Sequence, residues 1–402
     1  RLWDAIVIGA GPAGSAAAGE LASAGMHTLL LERDRFPRPK TCGDGLNVDA
    51  LEELERTGLT DFVRRAGRSL DSARVISAGG DEINVDGPFV TLERRWLDQA
   101  LAAWAVDRGA VFAHGEVSGI GLEDAPHRYR VRAEGTRQME LQAPAVIVAT
   151  GTDARLAERA GLAAPRRPSA AAARFYLRSP IRLETLLAVY DDSALPGYGW
   201  IFPMPDELFN VGVITFYRRG RLPGPALGRR LDSFCRDYPP LRELVREGEV
   251  VAPRKSAPLR CGLPDPKSAG RGGLLAAGEV VGTTYPLTGE GVGKAMLTGR
   301  MAARSLREAA GEGWPARAAA YYVTRLERLA PRYALYGVGE RWLGWAWANR
   351  WIASRALRSD RARRALQEVI VHERGLREVL ATRSRRSPTG GRADGRPGTR
   401  AG

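Results

Sequence analysis

Between residues 3 and 151, short unbroken apolar runs alternate with stretches in which apolar positions return every three or four residues. That alternation predicts strand–helix–strand units and a largely parallel sheet. The run 5–8 is the first buried strand, a small-residue helix over 13–24 ends at Gly25, and a second strand follows at 28–31. A helical period over 46–66 carries Val48, Leu51, Leu54 and Leu59, and short strands are expected at 73–77, 82–85 and 89–92. Residues 94–109 read as a helix with Trp96, Leu97, Leu101 and Trp104 on one side. Residues 117–121, 129–133 and 138–141 read as a meander, and 145–149 as a buried strand again.

From 165 to 264 the pattern changes to strands at 172–177, 186–190, 200–204 and 210–216 with one helix near 227–238, which predicts a second domain on an antiparallel sheet. Strand character returns at 274–277 and a helix follows over 289–309, so the first domain is expected to be discontinuous. The expected division is 1–70, 93–164 and 265–310 for the first domain and 71–92 with 165–264 for the second. Residues 311–382 form a helical region and 383–402, rich in Arg, Gly, Pro and Ser, a disordered tail.

A chain of 402 residues with 44% hydrophobic and 26% charged residues is neither a small binding module nor a disordered polymer. Its longest charge-free stretches fall short of the roughly 20 residues of a membrane span. Three cysteines (Cys42, Cys235, Cys261) are too few and too scattered for a disulfide framework or a metal site, which fits a reducing, cytoplasmic setting. No apolar leader opens the chain, and the absent initiator Met is read as a trimmed start. Net charge is +14, and from 311 to 402 there are 19 arginines against 8 acids, so 19 − 8 = +11 of the excess lies there.

Gly9-Ala10-Gly11-Pro12-Ala13-Gly14 is a Gly-x-Gly-x-x-Gly between a strand and a helix, the arrangement that turns tightly and lets a pyrophosphate approach the backbone. Glu32, followed by Arg33, lies 18 residues beyond Gly14 at the end of the next strand, where a carboxylate accepts ribose hydroxyls. The ligand is therefore a dinucleotide, and this motif does not choose between FAD and NAD. Gly278-Glu279 precedes Tyr285-Pro286-Leu287-Thr288-Gly289-Glu290-Gly291-Val292-Gly293, a loop that aims helix N-terminal amides at developing negative charge.

In these segments the chain resembles the FAD-dependent oxidoreductases that include geranylgeranyl reductases and aromatic hydroxylases. The resemblance implies that the Gly278-Glu279 pair holds the ribityl chain, with Glu279 standing where the family has aspartate, and that the loop after it faces the flavin ring. It also implies that Arg94, four residues before Asp98, faces the cofactor's ribose-phosphate portion, and that Thr150-Gly151 lies beside the cofactor. Where aromatic hydroxylases carry Asp-Gly and a following serine, this chain has Thr150-Gly151 and Ala154, which weakens a direct NADPH-using hydroxylase. Residues 39–46, around Cys42-Gly43, look like the cysteine-glycine loop of geranylgeranyl reductases, and Tyr198-Gly-Trp200-Ile-Phe202-Pro203 is similar to their YxWxFP signature. Met204, where lysine is common, departs from it. Tyr198, Trp200 and Phe202 alternate along one strand and so present their rings to one face, an apolar wall for a polyisoprenoid tail.

The fold class expected is α/β, a Rossmann-like FAD-binding domain with an antiparallel-sheet substrate domain and a C-terminal helical region. The activity implied is saturation of isoprenoid C=C bonds of a prenyl lipid by hydride from reduced flavin, with Cys42 and Gly43 at the reacting centre. The alternative is a flavin monooxygenase acting on an aromatic or polyketide-like metabolite; a flavin halogenase or a membrane-associated FAD protein without turnover are further readings. No second Gly-x-Gly-x-x-Gly is present for a resident nicotinamide, so electrons come from transiently docked NAD(P)H or a separate donor. Five of nine tryptophans (Trp314, Trp342, Trp345, Trp347, Trp351) interleave with the C-terminal arginines, either as an interfacial surface for the inner face of a membrane or as packing against the body. Nucleic acid is not an expected partner, because no recognition module accompanies the charge.

Overall fold

The structure, a computed structural model, describes residues 3–122, 128–135, 138–162, 168–191, 194–218, 221, 226–310 and 314–370; side chains of 368–370 are not considered. The tail expected at 383–402 and the end of the helical region lie outside the described residues.

Two sheets face each other across the site. The first has the order 270–271, 274–276, 145–148, 5–8, 28–32, 111–114, parallel apart from its first pair. Strands Ala5–Ile8 and Ala145–Val148 are buried throughout, packed between the helix Pro12–Ser23 and a three-stranded meander that supplies Tyr129, Val131 and Ala133 to the same core, which is why they read as unbroken apolar runs. The helix Pro12–Ser23 lies between helices Arg94–Asp107 and Val292–Ala310, and its small residues are the condition for that. A Cβ on Gly19 would stand 2.1 Å from the Trp104 ring, and one on Gly299 would stand 2.1 Å from the Ala13 carbonyl.

The second sheet has eight strands in the order 249–259, 170–178, 208–216, 197–203, 186–189, 68–76, 82–91, 45–46. It is mixed and not purely antiparallel, since Leu186–Val189 runs parallel to Arg68–Ile76. One face is sealed by helices Leu227–Asp237 and Pro239–Glu247, whose Leu231, Phe234, Leu241 and Leu244 pack on Phe175, Leu177, Ile201, Val211 and Val213. The other face looks toward the first sheet. A separate meander of Glu116–Leu122, Tyr129–Glu134 and Gln138–Ala143 stands where the period-two pattern placed it.

Several local expectations are corrected. The single helix over 46–66 is two, Val48–Glu55 and Thr60–Ala66, interrupted at Gly58. The three short strands over 73–92 are two long ones, Arg68–Ile76 and Glu82–Thr91. Trp96 is exposed, while Leu97, Leu101 and Trp104 are buried. Helix Pro239–Glu247 and strand Glu249–Leu259 escaped the pattern, the strand because it is an edge with most residues exposed. The C-terminal region is helical over Ala318–Leu343, Ala346–Arg358 and Asp360–Ile370.

Candidate active site

A cavity of about 700 Å³ runs between the two sheets, from the glycine loop at residues 9–14 to the C-terminal helices. At the loop end the backbone supplies the geometry. Gly9 has φ +98°, and a Cβ on Gly14 would sit 1.8 Å from the Gly9 carbonyl oxygen, so strand end and helix start touch without side chains. Gly11 is the N-cap of Pro12–Ser23 with no side-chain cap, which leaves the helix amides turned to the cavity.

Glu32 closes this end. Its Oε2 accepts the Ala10 N–H at 2.8 Å and an Arg38 N–H at 3.3 Å, and its Oε1 accepts the Asp34 N–H at 3.1 Å. Arg38 also reaches Asp98 at 3.1 Å, making it a largely buried cation beside the glycine loop that sequence reasoning passed over; the signal, the third arginine after Glu32, has no spacing rule. Arg33 is half exposed at the rim, within 3.9 Å of Asp153 and 3.8 Å of Glu116. Arg94 lines the cavity, its guanidinium held by Asp98 at 2.8 and 3.0 Å and lying beside the Cys42 thiol. Thr150 Oγ1 donates to the Asp153 carbonyl at 2.5 Å, and Gly151, at φ +68°, opens onto free space. Glu279 lines the cavity with its carboxylate engaged by Thr152 at 3.0 Å and the Arg260 N–H at 3.2 Å.

The loop ahead of helix Val292–Ala310 forms the opposite side. A Cβ on Gly293 would meet the Asp49 and Ala50 backbone at 2.8–3.0 Å, and one on Gly291 would meet Thr284 Oγ1 at 2.8 Å. Pro286 lies within the same turn, which the long helix Ala318–Leu343 clasps: the Tyr285 ring stacks on Tyr336 at 4.6 Å and lies 4.7 Å from Tyr333, whose hydroxyl donates to the Thr283 carbonyl at 2.7 Å. Thr288 Oγ1 is buried and lines the cavity without a hydrogen-bond partner among the described residues, as does Arg38 Nε. An orphaned donor at each end of one cavity, with uncapped helix amides between them, fits a long dinucleotide cofactor.

Tyr198, Trp200 and Phe202 all line the cavity, as the period-two reading requires. The Tyr198 hydroxyl donates to the Thr288 carbonyl, which joins the wall to the loop ahead of helix Val292–Ala310, and burial raises its pKa well above the ordinary tyrosine value. The Trp200 ring lies over Gly212, where a Cβ would come within 2.2 Å of it. A Cβ on Gly43 would meet the Phe202 and Trp200 rings at 3.4 and 3.6 Å, so the Cys42–Gly43 turn rests against the wall. Cys42 is half-buried, and burial raises its thiol pKa, with Arg94 opposing and Asp44 adding to the rise. Leu186, Ala188, Val75, Ile83 and Phe89 extend an apolar channel from the rings.

Asp44 is the residue that sequence reasoning missed at this end. It is 1% exposed, and Tyr176, Asn210 and the Arg94 backbone N–H all donate to it. Burial pushes its carboxyl up to about 6, against the lowering pull of Tyr176, Asn210, Arg174 and the Arg94 N–H. Its side-chain partners, Tyr176 and Asn210, are more than 100 residues away, so no spacing rule could have found them.

At the far end the cavity reaches Leu343, Asn349, Ile352, Ala353 and Leu366 of the C-terminal helices. Asn349 Oδ1 accepts the Ala78 N–H at 2.8 Å, which ties this roof to the 68–91 hairpin. The five C-terminal tryptophans divide: Trp314 packs against the core, as do Tyr322, Tyr333 and Tyr336, whereas Trp342, Trp345, Trp347 and Trp351 are 53–63% exposed beside exposed Arg350, Arg355 and Arg358. Among the described residues no helix is long and apolar enough to cross a membrane, and no group of His, Cys, Asp and Glu is arranged to hold a metal.

Residues 3–175 match the FAD binding domain family. The chain is 33% identical over 327 residues to a menaquinone reductase of Mycobacterium tuberculosis, covering 75% of this chain and 76% of that one. It is 32% identical over 317 residues to digeranylgeranylglycerophospholipid reductase 1 of Methanopyrus kandleri, covering 76% and 81%. Among solved structures, a geranylgeranyl bacteriochlorophyll reductase-like protein of Thermoplasma acidophilum superposes with a TM-score of 0.75 at 21% identity, covering 96% of each chain. The myxobacterial chondrochloren halogenase superposes with a TM-score of 0.73, also at 21%, over 85% and 83%, so the fold alone is shared by reductases and halogenases.

Proposed function

This chain belongs to the geranylgeranyl reductase family of FAD-dependent oxidoreductases, and from that premise we propose that it saturates isoprenoid C=C bonds of a prenyl lipid at the junction of the two sheets. The observation that carries the reading is the continuity of one cavity, polar and glycine-lined at the dinucleotide loop, aromatic in the middle and apolar toward the C-terminal helices. A long dinucleotide and a long hydrocarbon fit end to end in it.

FAD, when bound, supplies hydride chemistry. The Gly9–Gly14 loop and Glu32 hold the adenosine-pyrophosphate half, with Arg33, Thr150 and Gly151 at its rim. Gly278, Glu279 and the turn through Pro286, Gly289, Gly291, Val292 and Gly293 frame the ribityl chain and flavin ring. We assign Arg94, by its place beside Cys42, to the cysteine-glycine loop. Tyr198, Trp200 and Phe202 line the prenyl tail's path, and the Cys42–Gly43 turn bounds the reacting double bond. An isolated alkene is a poor hydride acceptor, so the walls must hold the reacting carbon within roughly 3–3.5 Å of its partner and exclude water. The first sheet with its helices serves as the cofactor unit, and the eight-stranded sheet as the substrate unit.

Transient NAD(P)H or a separate donor reduces the cofactor. The exposed tryptophans and arginines of the C-terminal helices rest on an anionic bilayer, placing the protein at the inner face of the membrane, where a prenyl lipid resides. The test is anaerobic: the FAD-loaded protein is reduced with dithionite, geranylgeranyl diphosphate and menaquinone are added in turn, and flavin absorbance is followed with product mass. Reoxidation with a gain of two hydrogens per bond is expected. Flavin that stays reduced until oxygen enters, with oxygen then appearing in an aromatic substrate, would replace this reading by the monooxygenase.

A further inference from the structure

Three segments distant in the chain donate to one carboxylate. Asp44 Oδ2 accepts the Tyr176 hydroxyl at 2.5 Å and Asn210 Nδ2 at 2.7 Å, while Oδ1 accepts the Arg94 N–H at 3.3 Å. Asn210 Nδ2 also donates to the Cys42 carbonyl at 2.9 Å, and its Oδ1 accepts Trp200 Nε1 at 2.9 Å. An indole N–H can only donate and a carbonyl only accept, so this amide has one orientation, and the remaining acceptor has to be Asp44. Asp44 itself sits at φ +62°, in the left-handed region that non-glycine residues enter at a cost. The network thus sets the position of the Cys42–Gly43 turn relative to the Trp200 ring, the two walls between which the double bond must fit.

Resting on the prenyl-reductase reading, we propose that Asp44 is the positioning residue of this slot and that its ionised form, acting through Asn210, holds Cys42 and Trp200 at the spacing the reaction needs. Neutralising it would place a proton on a group that now accepts from three donors. The charged and titratable groups facing it are Cys42 on its own loop, Arg94 on the next helix, and Arg174 and Tyr176 on strand Ala170–Arg178; Glu93 lies beyond Tyr176. Arg174 and the donors favour the carboxylate, burial opposes them, and the balance falls at about 6. The slot is therefore set at neutral pH and loosens as pH falls through that value.

The test uses the full FAD-loaded protein and two readouts between pH 5 and 8. One is single-turnover flavin reoxidation by geranylgeranyl diphosphate. The other, independent of turnover, is the rate of Cys42 alkylation by iodoacetamide, with Cys42→Ala as blank. In the wild type, reoxidation should fall about tenfold per pH unit below the inflection. Asp44→Asn should retain flavin, lose the inflection, react slowly at all pH, and be alkylated several-fold faster above pH 7, since the carboxylate's repulsion of the thiolate is gone. Tyr176→Phe removes one donor to the carboxylate and should move the inflection upward by about one unit. Wild-type rates and inflection in Asp44→Asn, or an unmoved inflection in Tyr176→Phe, overturn the proposal; if Asp44→Asn fails to fold, the Tyr176→Phe profile decides. Should the wild type reduce no prenyl substrate, the functional reading falls by itself. A wild-type to Asp44→Asn alkylation ratio constant across the range would then sink the positioning role.

Discussion

The glycine-loop end and the aromatic-wall end of the cavity do comparable jobs by opposite means. At the loop end, backbone against backbone defines the space: Gly9 and Gly14 touch, Gly11 leaves helix amides open, and one carboxylate, Glu32, is placed by a strand end. At the wall end, the side chains of Asp44, Tyr176, Trp200 and Asn210, with the Arg94 N–H and the Cys42 carbonyl, hold one another. The first arrangement tolerates almost no change at its glycines, and backbone geometry places its one carboxylate, Glu32. The second is built from hydrogen-bonded groups distant in the chain and depends on the protonation of Asp44.

The sharpest break between them is steric. Gly14→Val puts branched carbons where even a Cβ would be 1.8 Å from the Gly9 oxygen, so the purified protein should carry essentially no flavin at 450 nm. Full occupancy would mean that the loop does not hold the cofactor. Trp200→Ala makes the converse cut: losing a buried indole should cost about 3–5 kcal/mol of stability and lower prenyl turnover by roughly a hundredfold. Flavin content should stay near one per chain. Loss of flavin in that variant would show that the two ends are not separable.

Charge sharpens the comparison further. The Asp44 pKa is raised from 3.8 to about 6 on folding, so the unfolded chain binds fewer protons between those values and stability falls as pH rises through them. The shift is about 2 units, or about 3 kcal/mol. Chemical unfolding of wild type minus Asp44→Asn should show this difference developing between about pH 4 and 6, largest below 4 and gone above 6; a pH-independent difference would contradict a buried, titrating carboxyl. At the loop end, Glu32→Gln keeps the shape and removes the charge, and FAD affinity should weaken by about tenfold, or 1.4 kcal/mol, in equilibrium dialysis. The smallest effect on chemistry is expected from Trp347→Ser with Trp351→Ser: co-sedimentation with phosphatidylglycerol vesicles should drop severalfold while turnover of a detergent-dispersed substrate stays unchanged.

Legibility in the sequence followed the same division. The strand 5–8, the small-residue helix after it and the loop glycines were readable because local rules place them within a few residues of one another. The strand read at 200–204 runs over Gly197–Pro203, and period two put Tyr198, Trp200 and Phe202 on one face, whereas the Cys42–Gly43 turn was singled out only through family resemblance. Arg94 shows the limit: its helix-start position was plain, but that its guanidinium lies beside the Cys42 thiol depends on how Arg94–Asp107 packs. Trp96 and the edge strand Glu249–Leu259 were misjudged or missed because exposure, not residue type, decides them.

By itself the sequence determined a dinucleotide site, an α/β core built from separate segments and a basic, tryptophan-rich C-terminal region, since each follows from residues close together in the chain. Only the tertiary structure decided that Asp44, Tyr176 and Asn210 share one hydrogen-bond network, that tyrosines of the last helices turn inward while tryptophans turn outward, and that one cavity joins both ends. Those facts depend on which of many sequence-distant surfaces meet, and that choice is made by packing the whole chain at once.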